Sequence, residues 1–497
     1  MSNEIQSAPS PPSKSSRFML NWSTLAGWVV TFAGLFAFLL LLSLDFFVSK
    51  KSPYLGILTY LVSPLIITGG LLLVLLGWIL YRHKRALASA GAFPFLPAID
   101  LSRPRDVRLL SVFALFALVL FLFVSMGSYE AYHVTKSVQF CGQTCHQEMA
   151  PQYVAYQHSP HARVECTACH IGSDAVSFVK AKFNGLGQVY TTLAGNVAKP
   201  IEGHGKIQIN QKTCEQCHWP ERFVGNLQRS YMHYLDDETN SFYGVKLLLK
   251  VGGGDPTHGP LSGIHWHMNL KNKVEYIASD PLKQKVPWVR LTETNGVVTE
   301  FALADFKENP SRSTIHTMDC MDCHNRPAHH FRTPNDAVDL AISLGKLSTN
   351  LPAIKRNSVL ALTGSYATTE EALTRIEGSL RAAYPSRPEL QSTIREVQSI
   401  YQTCLFPEMR TDWRTHANNI GHKDWPGCFR CHDNKHVSAD GKRTINGQDC
   451  NSCHLILSEG SGAAFEQSDL SGREFKHPEE GWKDLRCHDC HNGSMEK

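Results

Sequence analysis

The chain has 497 residues, long enough for two or three domains. Its net charge of +4 and 19% charged residues give no basic excess of the kind nucleic-acid binding needs, so no nucleic-acid partner is expected. Fifteen cysteines depart from ordinary composition, and their spacing has to explain them.

A polar tail over residues 1–16 comes first. Apolar runs at 22–48, 54–81 and 109–127 are each long enough to cross a bilayer, so 17–128 is expected to be a three-helix transmembrane anchor. The first run is too long for a cleaved signal peptide and lacks a convincing small-residue cleavage site. Pro64, Gly69 and Gly70 are expected to bend the second helix, which neighbouring helices tolerate. The 82–108 loop carries Arg82, Lys84, Arg85, Arg103, Arg105 and Arg108, against Lys50 and Lys51 alone between the first two spans. Positive-inside counting therefore puts the N-terminus and that loop in the cytoplasm, and everything after the third span on the other side. Asp45 reads either as an interfacial carboxylate or as a polar group beside a lipid-soluble substrate.

After the anchor, six triplets fit Cys-x-x-Cys-His: Cys166/Cys169/His170, Cys214/Cys217/His218, Cys320/Cys323/His324, Cys428/Cys431/His432, Cys450/Cys453/His454 and Cys487/Cys490/His491. A further triplet, Cys141/Cys145/His146 in FCGQTCHQEM, precedes them with a wider gap between its cysteines. Zinc binding would need cysteines in sets of four ligands, and a thioredoxin-like site needs a single motif in a βαβ unit. Neither explains a histidine directly after the second cysteine in all seven. Covalent haem does, because the thiols form thioethers to the porphyrin vinyls and the adjacent histidine ligates the iron. Seven covalently attached haem c groups are expected. In a bacterium such haems are attached in the periplasm, so motifs and loop charges agree on an inner-membrane protein with a periplasmic haem domain. Cys404 is left over and reads as a buried structural thiol, with an intermolecular disulfide as the alternative.

The exported part divides by content. Residues 129–230 hold three motifs, 231–312 hold none and have strand composition in FYGVKLLLKVGGG and VPWVRLTETNGVVTEF, and 313–334 carry the fourth motif. Residues 335–410 look helical, with capping-box spacing at Thr368-x-x-Glu371 and Ser386-x-x-Glu389, and 411–497 hold the last three motifs. The fold class expected is a membrane-anchored multihaem cytochrome c. It has three transmembrane helices and a haem-organised, mainly α and irregular domain with a small β-rich insert.

Each non-catalytic iron needs a second axial ligand. Of 24 histidines, seven lie in motifs and His83 in the basic loop, leaving sixteen, a surplus that favours bis-histidine ligation. The candidates are His161, His233, His265 or His267, His316, His422, His436 and His477, with His258, His329, His330 and His416 in reserve. His488, inside CHDCH, is expected to face away from its haem. No Cys-x-x-Cys-Lys motif occurs, so a lysine-ligated catalytic haem has no counterpart here.

FCGQTCHQEM, followed by SPHARVECTACHIG and later by IHTMDCMDCHNRP, resembles the NapC/NirT family of membrane-anchored quinol dehydrogenases. Seven motifs, three spans and the widened first motif are most similar to the heptahaem inner-membrane cytochromes of metal-reducing bacteria. The resemblance implies oxidation of menaquinol in the membrane and delivery of electrons to periplasmic c-type cytochromes or a terminal reductase, alone or within an oligomer or complex. It implies that Met149 ligates the first haem instead of, or in competition with, His146, with His161 distal at the third haem and His316 at the second. It matches Lys180 and Lys182 to the family's quinol-docking lysines and Gln188 to its acidic position. That last departure leaves the protons released by quinol oxidation to Asp174, Glu148, Asp45 or water. Two other functions fit the motifs: a terminal reductase of a small periplasmic substrate, and a passive relay subunit of a larger quinol-oxidising complex.

Overall fold

The computed structural model describes residues 22–47, 62–89, 133–144, 147–171, 190–192, 194–201, 211–253, 262–268, 272–307, 315–447, 449–478 and 485–494, with single positions between 102 and 130 and at 187, 209 and 480. The chain forms two units, Met1–Gln147 and Glu148–Lys497.

In the first unit, helix α1 spans Trp22–Phe47 and α2 spans Ser63–Ser89. Both are long and apolar enough to cross a membrane, over Ser23–Leu41 and Ser63–Leu80. They pack through small residues. A Cβ on Gly27 would stand 2.5 Å from the Val74 backbone nitrogen, and one on Gly70 would stand 2.6 Å from the Thr31 nitrogen. Such closeness lets two backbones meet where lipid offers no hydrophobic drive to pair helices. Buried Thr31 satisfies its hydroxyl within α1, donating to the Gly27 carbonyl at 2.8 Å. The faces turned away carry Phe32, Phe36 and Leu65, all more than half exposed. Of the second expected span, residues 54–61 lie outside the described residues, and the described helix is continuous through Gly69 and Gly70. Of the two glycines expected to bend it, Gly70 serves close approach to α1, while a Cβ on Gly69 would meet open space. The third expected span, at 109–127, lies mostly outside the described residues, as does the Asp45 side chain.

The second unit holds two antiparallel sheets and a helical cluster. Strands β1 (Leu227–Tyr234), β2 (Phe242–Leu249) and β8 (His454–Gly460) form one sheet in that order. The other runs β6 (Ile315–Thr317), β3 (Lys273–Ile277), β4 (Trp288–Thr292), β5 (Val298–Ala302) and β7 (Val437–Ser438). The Asn295-Gly296 turn of VRLTETNGVVTE closes the β4–β5 hairpin, with Gly296 at φ +81° and Glu293 N–H donating to the Val297 carbonyl. Residues Val274, Tyr276, Val289, Leu291 and Phe301 form a buried cluster on this sheet. The strands reach beyond 231–312 on both sides, and each sheet recruits a strand from the C-terminal segment.

Helices α3 (Ala150–Gln157), α4 (Pro334–Ser343), α5 (Ile354–Leu362), α6 (Thr369–Ala383) and α7 (Leu390–Cys404) share the main aliphatic core. On α6 the buried positions are Ala372, Ile376 and Leu380, one every turn, as an amphipathic helix requires. The Thr368 hydroxyl accepts from Glu371 N–H at 3.1 Å, and the Glu371 carboxylate accepts from Ala367 N–H at 2.9 Å, which starts α6 where the sequence places it. The second expected box does not form: Ser386 sits at φ +62° and α7 begins after Glu389 without a side-chain cap. Cys404 is 7% exposed at the end of α7, as expected of a structural thiol, and burial pushes its titration up. Buried Lys355 and Asp339 form an ion pair, and Asp339 also accepts from His233 and from Tyr234 N–H, so α4, α5 and β1 are pinned by one carboxylate.

Candidate haem-binding sites

Each regular motif occupies about one turn of helix: Cys166–His170, Gln211–Glu215, Cys320–Cys323, Gly427–Arg430, Cys450–Ser452 and Cys487–Cys490. In four of them the histidine N–H donates to the first cysteine's carbonyl: His218 to Cys214, His324 to Cys320, His432 to Cys428 and His491 to Cys487, at 2.8–3.1 Å. That bond puts both sulfurs on one face, since residues three apart on a helix are neighbours. The widened motif is built differently. Phe140–Thr144 is a π-helical turn, which takes up one residue more than an α-turn. Cys145 and His146 lie outside the described residues.

Six histidines from outside the motifs face the six regular motif histidines, one each. His329 faces His170 (centroids 6.0 Å apart), His161 faces His218 (6.0 Å), and His265 faces His324 (6.2 Å). His267 faces His432 (5.8 Å), His422 faces His454 (6.3 Å), and His477 faces His491 (5.9 Å). Two imidazoles sharing a metal at about 2 Å from each nitrogen would have centroids roughly 6 Å apart.

The non-motif rings are also oriented alike. Nδ1 of His161 meets the Pro327 carbonyl at 3.1 Å, that of His329 the Gln152 carbonyl at 2.9 Å, and that of His265 the Val251 carbonyl at 3.1 Å. Nδ1 of His267 meets the Ile264 carbonyl at 2.8 Å, and that of His422 lies 3.5 Å from Cys487 Sγ. A carbonyl can only accept, so the proton is on Nδ1 and Nε2 keeps its lone pair, the form a metal ligand needs. Burial favours the neutral ring, lowering His329 and His422 to about 4 and depressing His265 and His267 as well.

The sequence candidates thus separate. His161, His265, His267, His422 and His477 stand opposite motif histidines, as does His329 from the reserves. His316 packs against Tyr276 at 5.4 Å, and the ring facing His170 is His329. His233 stacks on Tyr231 and bonds to Asp339. His436 uses both nitrogens, Nδ1 with Asp433 at 2.9 Å and Nε2 with the Val286 carbonyl at 2.7 Å, leaving neither for a metal. His488 pairs loosely with Asp489, at 3.9 Å. Met149 caps α3 and Glu148 shares its short 3-10 turn. Asp174, Lys180, Lys182, Gln188 and His258 lie outside the described residues. His329 is the residue that nearness to a motif does not find: it follows the fourth motif in sequence yet faces the second.

The motifs also adjoin one another in chain order. Cys169 interacts electrostatically with Cys214 and Cys217, and Cys214 is hydrogen-bonded to Cys320. Cys323 interacts with Cys428, Cys453 with Cys428, and Cys487 with Cys450. Motifs two to seven therefore form one unbroken series.

These residues fit haem and not zinc. Among the described residues no three His, Cys, Asp or Glu side chains converge on a point that could hold a metal ion. Each facing pair could offer an iron two nitrogens, and a macrocycle would bring the remaining donors. Buried polar atoms without partners cluster here too, including Arg326 Nε, His416 Nε2, His454 Nδ1 and His488 Nδ1.

Comparison with known proteins agrees. Residues 103–218 match the model of the NapC/NirT cytochrome c family, N-terminal region. The chain is 34% identical over 502 residues to the cytochrome c-type protein ImcH of Geobacter sulfurreducens, with 97% of each sequence covered. No solved structure matches it. The chain belongs to the NapC/NirT cytochrome c family, as a membrane-anchored electron-transfer protein that carries covalently bound haem c.

Proposed function

We propose that this protein is a menaquinol dehydrogenase of the bacterial inner membrane, with a cytoplasmic N-terminus and a periplasmic domain of seven haems that passes electrons to periplasmic c-type cytochromes. The observation that carries the reading is the unbroken series of six facing histidine pairs behind a membrane anchor and a widened first motif. An open iron, which a terminal reductase would need, has no place among those six. The bound haem supplies one-electron exchange at its iron. The chain's own work is to hold and orient it: six pairs of cysteines would make the thioethers, and the pairs His170/His329, His218/His161, His324/His265, His432/His267, His454/His422 and His491/His477 would supply the nitrogens that hold the irons. The Nδ1 bonds of His161, His265, His267 and His329 to backbone carbonyls keep those four rings aimed without using the Nε2 lone pair.

The first motif is the entry point in this reading. The π-turn at Phe140–Thr144 takes up the extra residue that separates Cys141 from Cys145 in sequence. Met149 or His146 would hold the iron of the first haem, and a thioether ligand would set that haem's potential above the others. Lys180 and Lys182 hold the quinol oxygens, and Asp174, Glu148 or Asp45 receives the protons that Gln188 cannot. The purified protein, given a menaquinol analogue, should reduce its haems and should stop when a quinol-site inhibitor is added. A haem count of seven is expected alongside. Haems that stay oxidised under these conditions would sink the proposal.

A further inference from the structure

Arg326, directly after the fourth motif, is joined to His416, whose Nδ1 lies 2.9 Å from Arg326 Nη2. A guanidinium can only donate, so the His416 Nδ1 is the acceptor and the proton of the neutral ring is on Nε2. This tautomer is the reverse of that of His161, His265, His267 and His329. His416 is 7% exposed and stacks on Phe331, and its Nε2–H has no acceptor. Arg326 Nε–H is also buried and has none. Two buried donors on adjoining side chains, one of them a permanent cation, are costly to leave unmet.

The acids nearby are already occupied. Asp412, whose charge reaches His416, is held by Arg414 at 2.5 Å. A cavity of about 170 Å³ borders Arg326, Asn325 and Ala417, and its one acid, Asp322, already accepts from Tyr276 and Lys283. Arg326 acts electrostatically on both His416 and His329, these two rings act on each other, and His329 faces His170.

We propose that Arg326 and His416 form a carboxylate-binding pair that would donate Arg326 Nε–H and His416 Nε2–H to one propionate of the haem held between His170 and His329. The inference rests on the axial pairings proposed above. A cation and a neutral donor beside one propionate stabilise the reduced iron indirectly, because the carboxylate's charge is answered within the protein and not by water.

The test is a redox titration of the purified full-length protein, followed by electron paramagnetic resonance at the low-spin ferric signals. His329→Ala first identifies the signal of this haem by abolishing it. Arg326→Gln should then shift the same signal towards the oxidised form about tenfold at fixed potential, equivalent to about 59 mV for a one-electron couple. His416→Phe should shift it less, and Arg326→Lys, which keeps the charge, should recover most of the loss. If His329→Ala removes the signal but neither Arg326→Gln nor His416→Phe moves it, the carboxylate pair is wrong and the axial pairing stands. If the shifted signal belongs instead to the haem of Cys320 and Cys323, identified by His265→Ala, the assignment to the second haem is overturned. If His329→Ala leaves every low-spin signal intact, the pairing fails and takes this inference with it.

Discussion

Between Pro334 and Cys404 the chain folds as helical proteins ordinarily do. Val338, Ile354, Val359, Leu362, Ile376 and Leu380 are all fully buried in one cluster, and caps and a buried Lys355–Asp339 pair fix the helix ends and their angles. The motif segments carry caps of their own, at Asp319 and Asp449, but take no part in that cluster. Their helices are single turns, their cysteines are half-buried or exposed, and the ring nitrogens His454 Nδ1 and His488 Nδ1 are buried without partners. Four helices can bury enough apolar surface to hold themselves, whereas turns of four or five residues cannot. The difference shows where the protein depends on its cofactor: the helical region frames the motif segments, and the motif segments wait for a macrocycle to pack around.

The largest test of this contrast is to remove one haem. Replacing Cys428 and Cys431 together by serine should delete one haem from the intact mass and open residues 417–436 to hydrogen exchange. Residues 354–404 should keep their protection; equal loss in both regions would mean that the helical core also depends on haem. Next in size, His267→Ala should convert one haem to high spin by absorption and magnetic circular dichroism. His316→Ala and His436→Ala should leave the spin states unchanged, and a high-spin haem in either would move the pairing back towards sequence proximity.

Smaller effects should appear on the other side of the comparison. Lys355→Met leaves Asp339 buried without its cation and should cost about 3–5 kcal/mol, read as a lower denaturation midpoint with an unchanged haem spectrum. Thr368→Ala removes one cap from α6 and should cost about 1 kcal/mol by the same measurement.

Much of this was legible in the residues because the signals were local. The Cys-x-x-Cys-His turns, the Asn295-Gly296 hairpin, the box at Thr368 and the apolar periodicity of α6 all depend on neighbours within a few positions. Ser386-x-x-Glu389 has the same spacing as the Thr368 box and fails because Ser386 takes a left-handed conformation in the turn before α7. The histidines that face the motif histidines were legible only as a pool. Their partners are chosen by tertiary packing: His265 and His267, two residues apart, face two different motifs, and His329 faces a motif well before it. The His436 exclusion needed both of its hydrogen bonds, neither visible in composition. The C-terminal strands that complete the two sheets were missed for the same reason, since VS and HLILSEG look like motif flanks until their distant partners are known.

The sixth motif histidine is also the first residue of β8, paired with Leu249 on β2, while Lys250 N–H donates to the Cys453 carbonyl. A chain emerging N-terminus first therefore makes the β1–β2 hairpin long before the strand that covers its outer edge exists. Until Cys450–Gly460 arrives, FYGVKLLL presents an uncovered apolar edge, the kind of surface through which chains join one another. The attachment site and the sheet's closing strand are a single stretch of sequence, so delayed haem loading and a lengthened window for aggregation are one event.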